Sequence, residues 1–384
     1  MRNYYFDHAA TTPMHPEVLR TMVELMQGPG GNSSSTHAYG RAAKGQLSRA
    51  RDLVSAAIGC KPSELIFTSG GTESDNMALI GAARAQRKRG KTHLITTAAE
   101  HHAVLHTCQW LEREEGFSLT VLPVDGSGRI DPDRVREAMR EDTALVSIMH
   151  GNNEVGTIQP IEAIGEAVHA GGALFHVDAV QTLGYVQYNL SQLPVDFMSF
   201  SAHKINGPQG VGALYAASGV PFEPLQHGGL QERKRRAGTE NIAGIAAFAK
   251  AVDICVNELA NKQLFADKLR KRWIELLKEG IPEAELVVNG DESERLPHIT
   301  NISFLGVNTE TMLMNLDMAG IAAASGSACT SGSLEKSHVL RAMGLSSERL
   351  DSAVRFSFGL GNTLEDLEIA APRVVGIVKR IRRE

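Results

Sequence analysis

Between about residue 65 and residue 215, short apolar runs alternate with longer segments of helical periodicity. Leu65-Ile66-Phe67-Thr68, His93-Leu94-Ile95-Thr96, Ala144-Leu145-Val146-Ser147-Ile148 and Ala173-Leu174-Phe175-His176-Val177 are continuous rather than alternating. Strands that are apolar on both faces predict a mainly parallel sheet packed between helices. Ile161 to Ala170, opened by Pro160, reads as one of those helices. The pattern is that of an α/β fold. From Asn241 onward it predicts one long helix and then a smaller mixed region, with the run Ile299-Thr300-Asn301-Ile302-Ser303-Phe304 and a Gly/Ala/Ser-rich stretch from Ala322 to Ser333. A boundary near Cys255 divides the chain into a large domain, 15–254, and a small α/β domain formed by 1–14 and 255–384.

Length supports two packed lobes, because 384 residues exceed what one simple core organises. Apolar residues at 42% and charged residues at 22% are ordinary for a globular protein. The net charge is −5, and the basic clusters Arg84–Lys91 and Lys379–Arg383 are short enough to be solvated helix faces. Direct nucleic-acid binding is therefore not expected. The four cysteines, Cys60, Cys108, Cys255 and Cys329, form no CxxC pair. That argues against a zinc knuckle, a cluster cage or a disulfide framework. With no apolar signal core near Met1 and no run of spanning length, the expected location is the reducing cytoplasm, away from membranes.

Beyond the predicted strand ends lie the residues that carry chemistry, where α/β sheets bind ligands. Ser69-Gly70-Gly71-Thr72 joins a strand to a helix start, an arrangement that offers N–H groups to an anion. No Lys stands at the P-loop position. Asp178 closes a buried strand and needs a partner, for which a protonated pyridine nitrogen is suited; a plain helix cap is the alternative. Gln181 would then reach the ring hydroxyl. Lys204 emerges from the apolar run Ser199-Phe200-Ser201-Ala202-His203, the setting of a Schiff-base amine whose pKa burial lowers. Ser201 and His203 would face a phosphate. His101 suits ring stacking and proton transfer. His102 and His106 stand four apart, but without a third ligand no metal site is expected. Cys329, within Ser325-Gly326-Ser327-Ala328-Cys329-Thr330-Ser331, suits a thiolate nucleophile, against the alternative of a buried structural thiol. Arg355, in an apolar run, would pair bidentately with a substrate carboxylate or with a structural acid.

Taken together, these residues resemble the NifS/IscS-like cysteine desulfurases of the class V pyridoxal-phosphate-dependent aminotransferase family. The likeness runs through Tyr5–Thr12, Thr68–Asn76, Glu100-His101, His150–Glu154, His176–Asp178, Ser201–Lys204, Arg236–Thr239 and Ser325–Ser333. It implies a fold-type I architecture with pyridoxal 5′-phosphate on Lys204. Asp178 would pair with the ring nitrogen, Gln181 and Asn153 would contact the ring or its hydroxyl, and His101 would stack on it. Gly71, Thr72, Ser201 and His203 would hold the phosphate, with Thr239 supplied by the partner of a homodimer. L-cysteine would bind at Arg355 and pass its sulfur to Cys329 as a persulfide. A tRNA 2-thiouridylase or an iron–sulfur scaffold would accept it. Gly31-Asn32-Ser33, Leu230 and Leu360-Gly361 depart from the family pattern. Selenocysteine lyase, a true class V aminotransferase and a non-catalytic assembly scaffold are the rival readings.

Overall fold

The computed structural model describes residues 2–326 and 336–383, together with the backbone of two short strands between them. Its strands are β1 (Tyr4–Tyr5), β2 (Leu65–Thr68), β3 (His93–Thr97), β4 (Ser118–Leu122), β5 (Thr143–Ser147), β6 (Leu174–Asp178), β7 (Phe197–Ser201), β8 (Gly212–Ala216), β9 (Leu286–Asn289), β10 (Ile299–Phe304), β11 (Ile321–Ala322), β12 (Cys329–Thr330), β13 (Ser333–Leu334) and β14 (Ala353–Ser357). Seven of them form one sheet in the order β2-β8-β7-β6-β5-β3-β4. Only β8 runs against its neighbours, so the other six strands end on the same edge. The predicted runs appear as strands shifted by at most one residue, and the helix Ile161–Ala170 forms as expected.

Alternate residues of the strands feed different cores. Leu65, Phe67, Ile95, Val146, Phe175, Val177 and Phe200 pack on one face of the sheet. Ile66, Leu94, Leu145, Phe197 and Leu214 pack on the other, against helix Gly71–Arg87. A separate core gathers around Trp273, Phe304, Phe356 and Phe358, on the sheet β14-β10-β9. Tyr4 and Phe6 belong to that second core. The chain's first residues therefore cross to the late part of the sequence, and Asp7 to Thr12 are carried past the strand ends.

The single long helix expected from Asn241 is instead two, Ile242–Asn257 and Leu259–Lys278, meeting at Glu258. The first packs Ile245, Phe248 and Val252 into the core of the large sheet. The second packs Leu269, Trp273 and Leu277 into the other core. No straight helix can serve both, so the chain bends without a Gly or Pro to mark the place.

One buried ion pair fixes the approach to the site. Arg51 donates to Glu232 and to the carbonyl of Leu65, and Glu232 accepts from the N–H of Phe67 at 3.0 Å. The side chains of Arg51 and Glu232 are only 8% and 2% exposed. Glu232, Arg233 and Lys234 lie at φ of 43°, 58° and 66°, a left-handed run that non-glycine residues adopt only under external constraint. Removing one member of such a pair strands a buried charge. Glu232→Ala is expected to cost about 3–5 kcal/mol of stability, read from chemical denaturation against the unaltered chain.

Candidate functional site

A cavity of about 470 Å³ opens where the parallel strands end. It is lined by ten of the residues singled out from the sequence: Gly71, Thr72, His101, Asn153, Asp178, Gln181, Ser201, His203, Lys204 and Arg355. Thr239 does not line it; it is exposed on the turn held by the ion pair of Arg236 with Glu73. The side chain of Cys329 lies outside the described residues, whereas Gly326 reaches the cavity wall.

Helix Gly71–Arg87 begins at the cavity with no side chain capping its first N–H groups. Gly70 sits at φ 154°, a conformation that disfavours any side chain. A Cβ on Gly71 would lie 2.6 Å from Val180, so the close approach of this turn to the wall requires glycine. The Ser201 hydroxyl is buried beside it with no hydrogen-bond partner. Free N–H groups, a positive helix end and an idle hydroxyl form a cradle for a phosphate.

Asp178 ends β6 and is 4% exposed. One of its oxygens accepts from the N–H of Val180 at 2.9 Å. Burial raises its pKa, while His101, that N–H and Lys204 pull it back. Beneath it His176, neutral because burial drives its pKa to about 3, bridges Ser147 at 2.8 Å and Ser199 at 3.0 Å. This packing holds the strand end rigidly. His101 caps helix His102–Glu115, its Nδ1 accepting from the N–H of Ala103 at 3.1 Å. Its other ring nitrogen stays available to the cavity, and burial lowers its pKa.

Lys204 follows β7 on a single turn of 3₁₀ helix. Its amine donates to the carbonyls of Ala9 and Ala10. Burial, then the nearby charge of Arg355, bring its pKa from 10.5 to about 8. The amine is therefore partly neutral near physiological pH, as a nucleophile must be. Arg355 lies 2.8 Å from Asp7 and donates to the carbonyl of Asn153 at 2.8 Å. Its Nε is buried without a partner.

Three lining groups escaped the roles read from sequence: Asp7, which carries Arg355; Ala9 and Ala10, whose carbonyls hold Lys204; and Asp75, one turn into helix Gly71–Arg87. Asp7-His8-Ala9-Ala10 drew notice only through the family likeness. Nothing local marks carbonyls or an acid four residues into a helix. His102, for its part, stacks on His106 and on His338 at 4.5 Å between ring centroids. Faces rather than ring nitrogens meet there, which suits packing and not chelation.

Residues 4–369 match the family model for Aminotransferase class-V. A cysteine desulfurase IscS of Methanosarcina thermophila is 47% identical, covering 98% of this chain and 92% of that relative. A cysteine desulfurase IscS of Dictyoglomus turgidum is 45% identical over 99% of this chain and 96% of its own length. Among solved structures, a NifS-like protein superposes with a TM-score of 0.92 at 37% identity, covering 99% of this chain and 100% of that one.

Proposed function

Since the chain belongs to the class V aminotransferase family and has the fold-type I architecture of its cysteine desulfurases, we propose that it converts L-cysteine to L-alanine and passes the sulfur to its own Cys329. One observation carries this most directly: the lowered amine of Lys204 shares a cavity with the buried acid Asp178, the open helix start at Gly71 and Arg355.

These residues fit pyridoxal 5′-phosphate. The uncapped N–H groups at Gly71 and Thr72, with the unpartnered hydroxyl of Ser201 and the ring of His203, suit its phosphate. Asp178 suits its ring nitrogen, Gln181 and Asn153 its ring hydroxyl, His101 its face, and Lys204 its aldehyde. When bound, the cofactor would supply a cationic ring that stores the electron pair left at the substrate α-carbon.

The protein's own part follows from the geometry. Asp178 would hold a proton on the ring nitrogen and so maintain the positive charge there. Arg355, oriented by Asp7 and the carbonyl of Asn153, lines the cavity and would supply the positive charge that meets the substrate carboxylate. The amine of Lys204, held at the cavity wall by the carbonyls of Ala9 and Ala10, would serve as the base for the substrate α-proton, with His101 as the alternative carrier. The Cys329 thiolate attacks the substrate sulfur. The carbon–sulfur bond breaks, its electrons stay with the three-carbon fragment, and a proton completes alanine. The partner subunit's Thr239 would complete the phosphate site in a homodimer. We assign 15–254 to the cofactor domain, joined by Cys255, which packs into the core of the large sheet rather than into the small domain expected for it, and 1–14 with the later residues up to 384 to the small domain that carries Cys329. Delivery to a tRNA 2-thiouridylase or an iron–sulfur scaffold in the cytoplasm completes the proposal. The test is incubation with L-cysteine, pyridoxal phosphate and a thiol reductant. Sulfide and alanine appear in equal amounts if the proposal holds; pyruvate, or no sulfide, overturns it.

Capture of the free cofactor carries a pH signature. Only the neutral amine attacks an aldehyde, and Lys204 loses its proton near a pKa of about 8. The rate of cofactor capture by the cofactor-free chain is therefore expected to rise with pH and reach half its plateau near that value. Stopped-flow absorbance between pH 6 and pH 10, on the order of five points, checks it.

A further inference from the structure

The floor of the cavity holds one more buried acid than the cofactor uses. Asp75 is 2% exposed, and its Oδ1 forms no hydrogen bond, with His176 no closer than 3.5 Å. One ligand atom each from Asp75, His101 and Asp178 lies within 4.8 Å of the others. Each of the three keeps a donor free for the centre. His101 has Nδ1 engaged by Ala103, which leaves Nε2. Asp178 has one oxygen engaged by Val180, which leaves the second. Asp75 has its idle Oδ1.

Two buried carboxylates this close cannot both stay charged without a cation. The amine of Lys204, in the same cavity, is engaged by the carbonyls of Ala9 and Ala10. We propose that in the cofactor-free chain Asp75, His101 and Asp178 bind a divalent transition ion of the zinc class. One imidazole and two carboxylates are hard-to-borderline donors, and they neutralise such an ion without leaving net charge in the floor. Bonds of about 2.0–2.2 Å would draw the three donor atoms closer together than the separations of up to 4.8 Å seen here. Binding expels whatever proton the acid pair shares. The remaining coordination positions face the cavity and would take water.

The consequence rests on the cofactor reading above. Asp178 cannot serve the ion and the ring nitrogen together, and His101 cannot ligate and stack together. Ion and cofactor therefore exclude each other, and the ion holds the floor neutral until the cofactor arrives. Asp75 is the one ligand that the cofactor does not need, so it distinguishes the two occupants.

Full-length chain, stripped of cofactor and treated with chelator, is titrated with Zn²⁺ by calorimetry and then loaded with pyridoxal phosphate under absorbance. The expected result is one zinc ion per chain, displaced as the cofactor band grows, with Asp75→Asn weakening zinc binding by at least about tenfold. Circular dichroism checks the fold of the variant; if Asp75→Asn does not fold, His101→Gln tests zinc binding by calorimetry alone, because it also removes a group placed against the cofactor. Zinc that binds the cofactor-loaded chain equally well, or binds both variants as tightly as the unaltered chain, overturns the proposal. If the metal-free chain never develops a cofactor band, the cofactor reading fails instead, and the calorimetry still decides the metal site.

Discussion

Lys204→Ala is expected to abolish the absorption of amine-bound cofactor and to lower desulfuration by about ten-thousandfold or more. The chain should stay folded. Lys204 is a base whose folded pKa, about 8, lies below its ordinary 10.5, so its burial opposes folding wherever the unfolded chain is protonated. That penalty is fully present below pH 8. It fades as pH rises toward 10.5, because the unfolded chain then also loses its proton. The alanine variant escapes it. Its stability relative to the unaltered chain should therefore be most favourable at neutral pH and should decline as pH rises through that window. The variant does give up the bonds to Ala9 and Ala10, which offsets part of the gain. Absorbance and sulfide release read the first effect, and denaturation at two pH values reads the second. A variant that keeps the band and the rate would remove Lys204 from the mechanism.

The large sheet was legible because burial on both faces leaves a mark that survives in one dimension. Phe175 and Val177 need a core on one side and Leu145 and Leu94 on the other, so the runs read as apolar throughout. The acids and amines at the strand ends were legible for the opposite reason. Asp178 and Lys204 interrupt apolar runs, and only a partner or a reaction repays that placement. What stayed hidden lies far apart in sequence. Asp7 meets Arg355 across 348 positions, and the carbonyls of Ala9 and Ala10 meet Lys204 across nearly 200. A backbone carbonyl carries no residue signature at all. The break at Glu258 was hidden because two cores, rather than a helix-breaking residue, impose it.

The site illustrates how one low-dielectric cavity runs several charges at once. Asp178, Asp75 and Glu100 all have pKa values raised by burial. His101, His203 and Lys204 all have theirs lowered by it. Both sets move toward neutrality, and for Lys204, at about 8, this leaves a share of the amine unprotonated near pH 7. Proton transfer between a substrate carbon and a neighbouring amine is easiest in that condition.

Cys329→Ala is expected to lower sulfide release from L-cysteine by about a thousandfold or more while the cofactor band stays intact. None of the groups that fit the cofactor involves Cys329, so binding and proton chemistry remain in place. What disappears is the only thiolate proposed to take sulfur from the substrate. The other cysteines cannot replace it: burial pushes the Cys60 thiol up to about 11 and that of Cys108 higher still, while Cys255 is buried against the carbonyl of Ile205. The variant should still exchange the α-proton of L-cysteine with deuterated water, because that step calls on Lys204 and His101. Exchange without sulfide isolates the role of Cys329 as the sulfur carrier. Loss of both would mean that the substitution disturbs the cavity. Full sulfide release in the variant would make Cys329 structural and move the assignment to a lyase or an aminotransferase, neither of which needs a thiol to receive the sulfur.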